Sequence, residues 1–498
     1  RLNPMQFGIL LADNAAAFGA CRYRGTTIQQ FGSLTATQLN KLTIAKLQFI
    51  PAADFTVLSA ELAAQIRPIL IQSLTADQLN SMSASALCAL DRRYLSNKQI
   101  ASLSELTISG MNNQQFVSML GDRLGDISMS ALSGISLEHL SSLSRGQLAD
   151  FTVAQLNAMG PSQKEFVLQN YSILEDAARQ GADGEISYLD ALSILEKAAL
   201  GGMNQAKFSD LERVANDLNS GNITASTYVT QIFGNVVLGN SANANWTGGN
   251  NWITILGDLS ASSTENQVSE LIGKWFLGTD LPSPGSPEGY YVPYVPQTLP
   301  LYGLSGAPEL SDVNQGELGD CYFLASIAEI ALQEPNVIED AIHSNGNGTY
   351  SVRFYVDGKP DYVTVNEALP QIDWGPKFKD GQNMPYDTGN GALWSSLFEK
   401  AFVQLNERQE VLHGGNGKAS NSYQAIAGGF DWPLKYLTNR SVYEYFFNPW
   451  TSSASEKRQM EILQSDFNGH SAITMSTGSE VPPNSNLVPS HMFAVTGI

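Results

Sequence analysis

The sequence predicts a multidomain protein, mainly α in its N-terminal half, where a solenoid of short helices and a helical domain precede a proline-rich linker and a separate C-terminal domain. Three observations carry this reading. At 498 residues the chain exceeds one ordinary domain and suits three or four. An apolar residue returns every eight positions through much of the first third, and a lone cysteine opens an apolar helix two-thirds of the way along. The expected divisions are residues 1–33 as an N-terminal cap segment, 34–160 as the octad solenoid, 161–281 as a helical and loop domain, 282–300 as the linker, and 301–498 as the C-terminal domain.

The octad leads with Leu34, Leu42, Ile50, Leu58, Ile66, Leu74, Met82 and Leu90, and a second series trails it by five, from Leu39 to Leu95. At Leu95 the phase slips, and a second block runs on to Met159 under the same rule. Each octad therefore carries two inward positions among mostly polar or small residues. The residue after the leading hydrophobe is often Ser or Thr, as at Thr35, Thr43, Thr75, Ser83, Ser96, Ser128, Ser136, Ser144 and Thr152. These read as helix N-caps, and Gln38, Gln78, Gln99, Gln147 and Gln155 stand where the reciprocal capping box needs them. Helices so short do not survive alone, so they are expected to stack along a continuous seam. A few ordinary amphipathic helices would drift out of step with the caps.

From about residue 161 longer helical patterns take over. The run 181–192 has part of a calcium-loop pattern in Asp183, Gly184, Ile186 and Asp190, but Arg179 and Gly181 occupy positions that should be acidic, so a capped turn between helices is expected. The Asn- and Gly-rich stretch before residue 260 reads as a turn-bounded hairpin or long loop. Residues 282–300, PSPGSPEGYYVPYVPQTLP, read as a semi-rigid extended spacer open to self-processing.

The C-terminal domain opens on NQGELGDCYFLASIAEIA, residues 314–331. A thiol is a useful nucleophile only as thiolate, and the positive end of a helix favours that form. Cys321 sits where the field is strongest. Gly316 and Gly319 allow a tight turn into the helix, and Gln315 can return its amide to hold the oxygen of a tetrahedral intermediate. Against this stands the ordinary buried cysteine, which packs as a small hydrophobe.

The string QGELGDCYFLAS is similar to the QGxLGDCWFLA signature of the calpain family of papain-like cysteine proteases. Downstream, ALWSSLFEKAFVQLNE (392–407), SYQAIAGGFDWPLKYLT (422–438) and SHMFAVTGI (490–498) resemble further family segments in family order. The resemblance covers residues 301–498 and implies an α+β papain-like core. It implies Cys321 as nucleophile, His491 as general base, Gln315 as oxyanion donor, and Gly428 and Gly429 as a pair that lets substrate backbone approach. His491 precedes an apolar run typical of a buried strand, whereas His343, His413 and His470 begin none. Tyr322 stands where the family usually has tryptophan, and Met492 where a small residue is common. The family's orienting asparagine falls beyond Ile498, so the core is expected to be incomplete at its C-terminus; the NPW triplet at Asn448, Pro449 and Trp450 precedes the histidine and reads as a turn. The resemblance also allows calcium, with Asp312 and Glu399 as carboxylate ligands, although the chemistry itself requires no cofactor.

Forty-eight acidic against 28 basic residues give a net charge of −20, which argues against a nucleic-acid partner. Three widely spaced cysteines do not suggest a disulfide framework. No apolar run is long enough to span a membrane. The chain begins at Arg1 and stops in an apparent strand, which reads as a fragment or processed product. The expected function is a cysteine endopeptidase on protein or peptide substrates, carried by a repeat scaffold that is open to self-association. The alternative is a structural or adhesive repeat protein with a latent protease-like domain; transglutaminase chemistry uses the same residue types but fits the spacing less well. Low charge with Ser, Thr and Asn richness points to a secreted or cell-surface protein, the cytoplasm being the alternative.

Overall fold

The structure is a computed structural model that describes residue 6 and residues 28–284, 292–316, 318–370, 391–408, 419–428, 433–445, 454–481 and 485–498. It divides into two compact units, Arg1–Ala182 and Asp183–Ile498.

The first unit is a succession of short helices, such as Ala76–Ser81, Ala84–Ala89, Asn97–Ala101 and Val153–Ala158. Every leading and trailing hydrophobe of both octad blocks is buried. The five expected capping boxes, Thr35/Gln38, Thr75/Gln78, Ser96/Gln99, Ser144/Gln147 and Thr152/Gln155, all close. Ser128 departs from expectation. It opens a 3₁₀ turn with no side-chain cap, where the backbone at Gly134 runs so close to Glu105 that a Cβ would meet its carbonyl oxygen at 2.4 Å. The box glutamines also do something the local pattern does not show. While its oxygen caps its own helix, the Gln78 amide reaches back 31 and 28 residues to the carbonyls of Leu47 (2.9 Å) and Ile50 (3.1 Å). Gln99 does the same to Ile71 and Leu74, and Gln155 to Leu124 and Ile127.

Pro161–Asn170 and Ile173–Gln180, expected to open the second domain, belong to the first unit. Gln163 continues the glutamine device, donating to Leu132 O (3.0 Å) and Ile135 O (2.6 Å), and Arg179 pairs with Asp150 at 2.9 Å.

In the second unit the helices Tyr188–Ala199, Gln205–Ser220, Thr227–Val237 and Glu265–Ile272 come first. Asp190 serves there in a capping box with Ser187, as a capped turn requires. A short hairpin pairs Asn245–Trp246 with Thr254–Ile255. A three-stranded antiparallel sheet then runs in the order Ile342–Ser344, Thr349–Val356, Lys359–Asn366. Alternation along its strands gives it two faces. Val352, Phe354, Val363 and Val365 enter the main core with Phe323, Phe398 and Phe402. Thr349 and Thr364 on the other face are also buried, because the preceding helices cover them. Tyr228 and Thr364 hydroxyls lie 2.8 Å apart, the Thr364 hydroxyl donates to Trp275 O at 2.6 Å, and the Tyr188 hydroxyl donates to Phe276 O. The chain passes so close at Gly278 (φ 59°) that a Cβ would sit 2.7 Å from Asn366 N. Only glycine fits both demands.

Residues 183–281 and the catalytic-like part are thus packed together, which differs from the expected separation by a proline-rich spacer. Within that spacer, residues 285–291 lie outside the described residues. Its end forms the strand Tyr294–Pro296, paired with Ala368–Pro370, and Ser283 bridges to Ser422.

Candidate active site

The helix Cys321–Gln333 begins on the thiol. Asp320 at its N-cap makes no side-chain cap, while its carbonyl accepts from Phe323 N (2.8 Å) and Leu324 N (3.2 Å). Behind Cys321 the helix is anchored hard. Tyr322 is buried and its hydroxyl donates to Ile426 O at 2.9 Å, and Phe323 stacks on Phe402 with ring centroids 4.2 Å apart. The tyrosine in place of tryptophan therefore keeps a ring against the site and a donor aimed at the segment before the glycine pair.

His491 arrives on a second element, the hairpin of Thr474–Ser476 with Met492–Ala494. Thr477 fixes the approach: its hydroxyl accepts from His491 N (3.0 Å) and donates to Val488 O (2.6 Å), and its own amide donates to His491 O (2.9 Å). Phe493 presents an edge to the imidazole, with centroids 4.7 Å apart. The next residue closes the site, because Met492 N lies 3.4 Å from Cys321 Sγ. Residues 171 positions apart in sequence are thereby brought side by side.

Gln315 lies at the edge of the loop that leads into the helix, and one of its amide hydrogens goes to Leu318 O at 2.7 Å. The amide group has a second hydrogen. Gly428 adopts φ 75° and donates to Gly319 O at 2.8 Å, tying the glycine pair to the loop before the thiol. Gly429 lies outside the described residues, as do His413 and the NPW triplet at 448–450. His343 lies exposed in a strand, paired with Ser351, and His470 ends a helix at φ 63°.

The two carboxylates that the resemblance offers to calcium both lie inside the fold. Asp312 Oδ2 accepts from Trp394 Nε1 (2.7 Å) and Glu309 N (2.9 Å), and Glu399 is buried in the helix Trp394–Asn406. Among the described residues no group of three or more His, Cys, Asp or Glu gathers as a metal site. Thr477 and the Tyr322 hydroxyl are contributions that local sequence did not announce, since both act across the fold. No helix among the described residues is long and apolar enough to cross a membrane.

Comparison with known proteins places this region in one family. The calpain family cysteine protease model matches residues 300–498. The chain is 27% identical to the calpain-2 catalytic subunit of Rattus norvegicus over 205 residues, which are 40% of this chain and 26% of that protein. It is 28% identical to the human calpain-2 catalytic subunit over a stretch of the same length, 40% of this chain and 26% of that protein. It is 36% identical to the calpain-type cysteine protease DEK1 of Zea mays over 115 residues, 22% of this chain and 5% of that protein. The chain spans about a quarter of the length of the mammalian relatives it matches.

Proposed function

From the calpain family cysteine protease domain that residues 300–498 carry, we propose that the chain is a cysteine endopeptidase acting on protein or peptide substrates. Cys321 Sγ attacks the carbonyl carbon of the scissile bond while His491 takes the thiol proton. The carbonyl electrons move to oxygen, where the Cys321 amide and the second Gln315 hydrogen stabilise the charge. Collapse expels the amine, which leaves with the proton from His491, and a thioester remains on Cys321. Water, deprotonated by His491, then attacks the thioester and releases the acid and the thiol. The observation that supports this reading is the Met492 N to Cys321 Sγ contact, which brings the histidine's strand to the thiol. Gly428, with no atom within 4 Å of where a Cβ would point, leaves room for substrate backbone.

The finer parts of the reading concern the first unit. The buried octad pairs and the glutamine bridges support a solenoid, which serves as a scaffold for the protease and is open to self-association at a cell surface or outside the cell.

The test is an active-site-directed thiol electrophile, applied to the chain at pH 7.5 in chelator and in calcium, with the adduct mapped by peptide mass spectrometry and cleavage of an unstructured protein followed in parallel. Selective modification of Cys321, lost when substrate competes, is the expected result. No preference for Cys321 over Cys88 in either condition would sink the protease reading and favour a structural protein with a latent domain. A calcium requirement, if present, will show as modification confined to the calcium arm.

A further inference from the structure

The helix that carries Cys321 reads CYFLASIAEIALQ, and its single charged residue is Glu329. Glu329 has no solvent exposure and sits among Ala328, Ile330 and Ala331. A lone carboxylate in such surroundings needs strong partners. Its partners are main-chain amides of the histidine hairpin. Oε2 accepts from Val495 N at 3.1 Å, and the nearby Ile473 amide also favours the ionised carboxylate. Gln333, one turn on, donates to Oε1 at 3.4 Å.

Ile473 and Val495 are the residues just outside the paired strands, next to the Thr474–Ala494 pair. The hairpin's own ladder has only a Val495 N to Ile473 O bond of 3.2 Å at this end. Three-residue strands hold register poorly, and a slip by one residue turns every side chain to the opposite face. The hairpin meets the thiol helix at two points. Met492 N touches Cys321 Sγ, and Val495 N touches Glu329 Oε2. Eight helical residues advance about 12 Å. Three strand residues advance about 10 Å. The two spans match, so one contact sets the other.

We propose that Glu329 is a positioning residue, whose buried carboxylate pins the histidine hairpin to the thiol helix in the register that brings His491 to Cys321. The role rests on the protease reading given above. Burial pushes the Glu329 carboxyl above the usual carboxylate range, and the amides of Ile473 and Val495 with Gln333 draw it back.

The test compares Glu329→Gln and Glu329→Leu in the full chain. Glutamine keeps an acceptor oxygen, whereas leucine keeps the bulk and leaves the Val495 amide with only Ile473 O in its own hairpin. Glu329→Leu is expected to lower kcat by about 10²-fold with KM little changed, the effect of a small misplacement of reacting groups, while the Gln variant recovers most of the rate. In Glu329→Leu the Ile473 and Val495 amides lose hydrogen-exchange protection while the thiol helix keeps its own. Wild-type kcat in Glu329→Leu would overturn the proposal. So would a loss that Gln fails to restore and that follows the melting temperature. If the wild-type chain neither cleaves nor alkylates selectively, the protease reading falls; the exchange comparison still decides the pin, and unchanged protection at Ile473 and Val495 overturns it.

Discussion

Helix N-termini serve opposite ends in the octads and at the thiol. In the first, Thr35, Thr75, Ser96, Ser144 and Thr152 each turn a side chain back onto the amides of a helix that would not form alone. In the second, the Cys321 helix starts with no side-chain cap, and its first residue is the thiol. A capped terminus stabilises structure, whereas an uncapped one keeps its positive field for an anion. The uncapped helix is held instead by contacts from far along the chain, through Tyr322, Phe323 and Glu329. The first unit repeats one small local device many times; the second relies on a few long-range contacts used once each. The two described cysteines divide in the same way. Burial pushes the Cys88 thiol up to about 11, and it lies within the helix Ala84–Ala89.

The comparison breaks most directly at the thiols. Cys321→Ala is expected to abolish electrophile labelling at neutral pH and to lower peptide cleavage by at least about 10³-fold, whereas Cys88→Ala changes neither. Labelling that remains in Cys321→Ala and maps to Cys88 would show that the uncapped terminus is not what activates a thiol here. The next largest effect tests the long-range contacts. Lys274 lies buried between Asp280 and Glu407 (2.7 Å), on the seam where the helices before residue 281 meet the catalytic core. Lys274→Met leaves both carboxylates without their cation and is expected to cost about 3–5 kcal/mol, read as a fall in the urea midpoint of a chain beginning at residue 183. A loss no larger than that of a single cap would erase the distinction between the units.

The same distinction explains what could be read from sequence. The octads were legible because each carries its own hydrophobes, cap and box residue within eight positions, so the signal is local and repeated. The segments that hold Cys321, Gln315 and His491 were legible as family segments because they keep family spacing. The bridges from Gln78, Gln99 and Gln155 were not, since the capping role already accounted for those residues. Nothing local marks Glu329, whose partner amide lies at Val495. The packing of Tyr188, Tyr228 and Trp275 on the sheet was hidden likewise: partners such as Tyr188 and Thr349 are 161 residues apart, and the prolines between them suggested a gap.

Two smaller effects sharpen the contrast. Burial raises the Glu407 carboxyl to about 7, with the Asp280 charge adding to the rise and the Lys274 cation opposing it. The folded state then holds this proton more tightly than the unfolded chain does. The group's contribution to stability is full below its unfolded value near 4.5 and is lost as pH rises through about 7. Wild type is therefore expected to lose about 3 kcal/mol more than Glu407→Gln between pH 4.5 and 7.5, measured by urea midpoints at both values. A parallel dependence in the two proteins would mean that another group sets the slope.

The smallest effects belong to the repeated device, and there two residues of one box should differ. Thr152 supplies one cap bond, to Gln155 N. Its replacement by alanine should cost about 1 kcal/mol. Gln155 is buried, accepts from Thr152 N, and donates to Leu124 O and Ile127 O. Truncating it takes the side-chain donor from Ile127 O, leaves Leu124 O with only Ile127 N, and uncaps Thr152 N, each lost buried bond being worth about 1 kcal/mol or more, so Gln155→Ala should cost about twice as much as Thr152→Ala. Thermal melting of the first unit by circular dichroism orders the two. Equal losses would mean that the bridge across some thirty residues adds nothing to the cap, and that the first unit is held by its local devices alone.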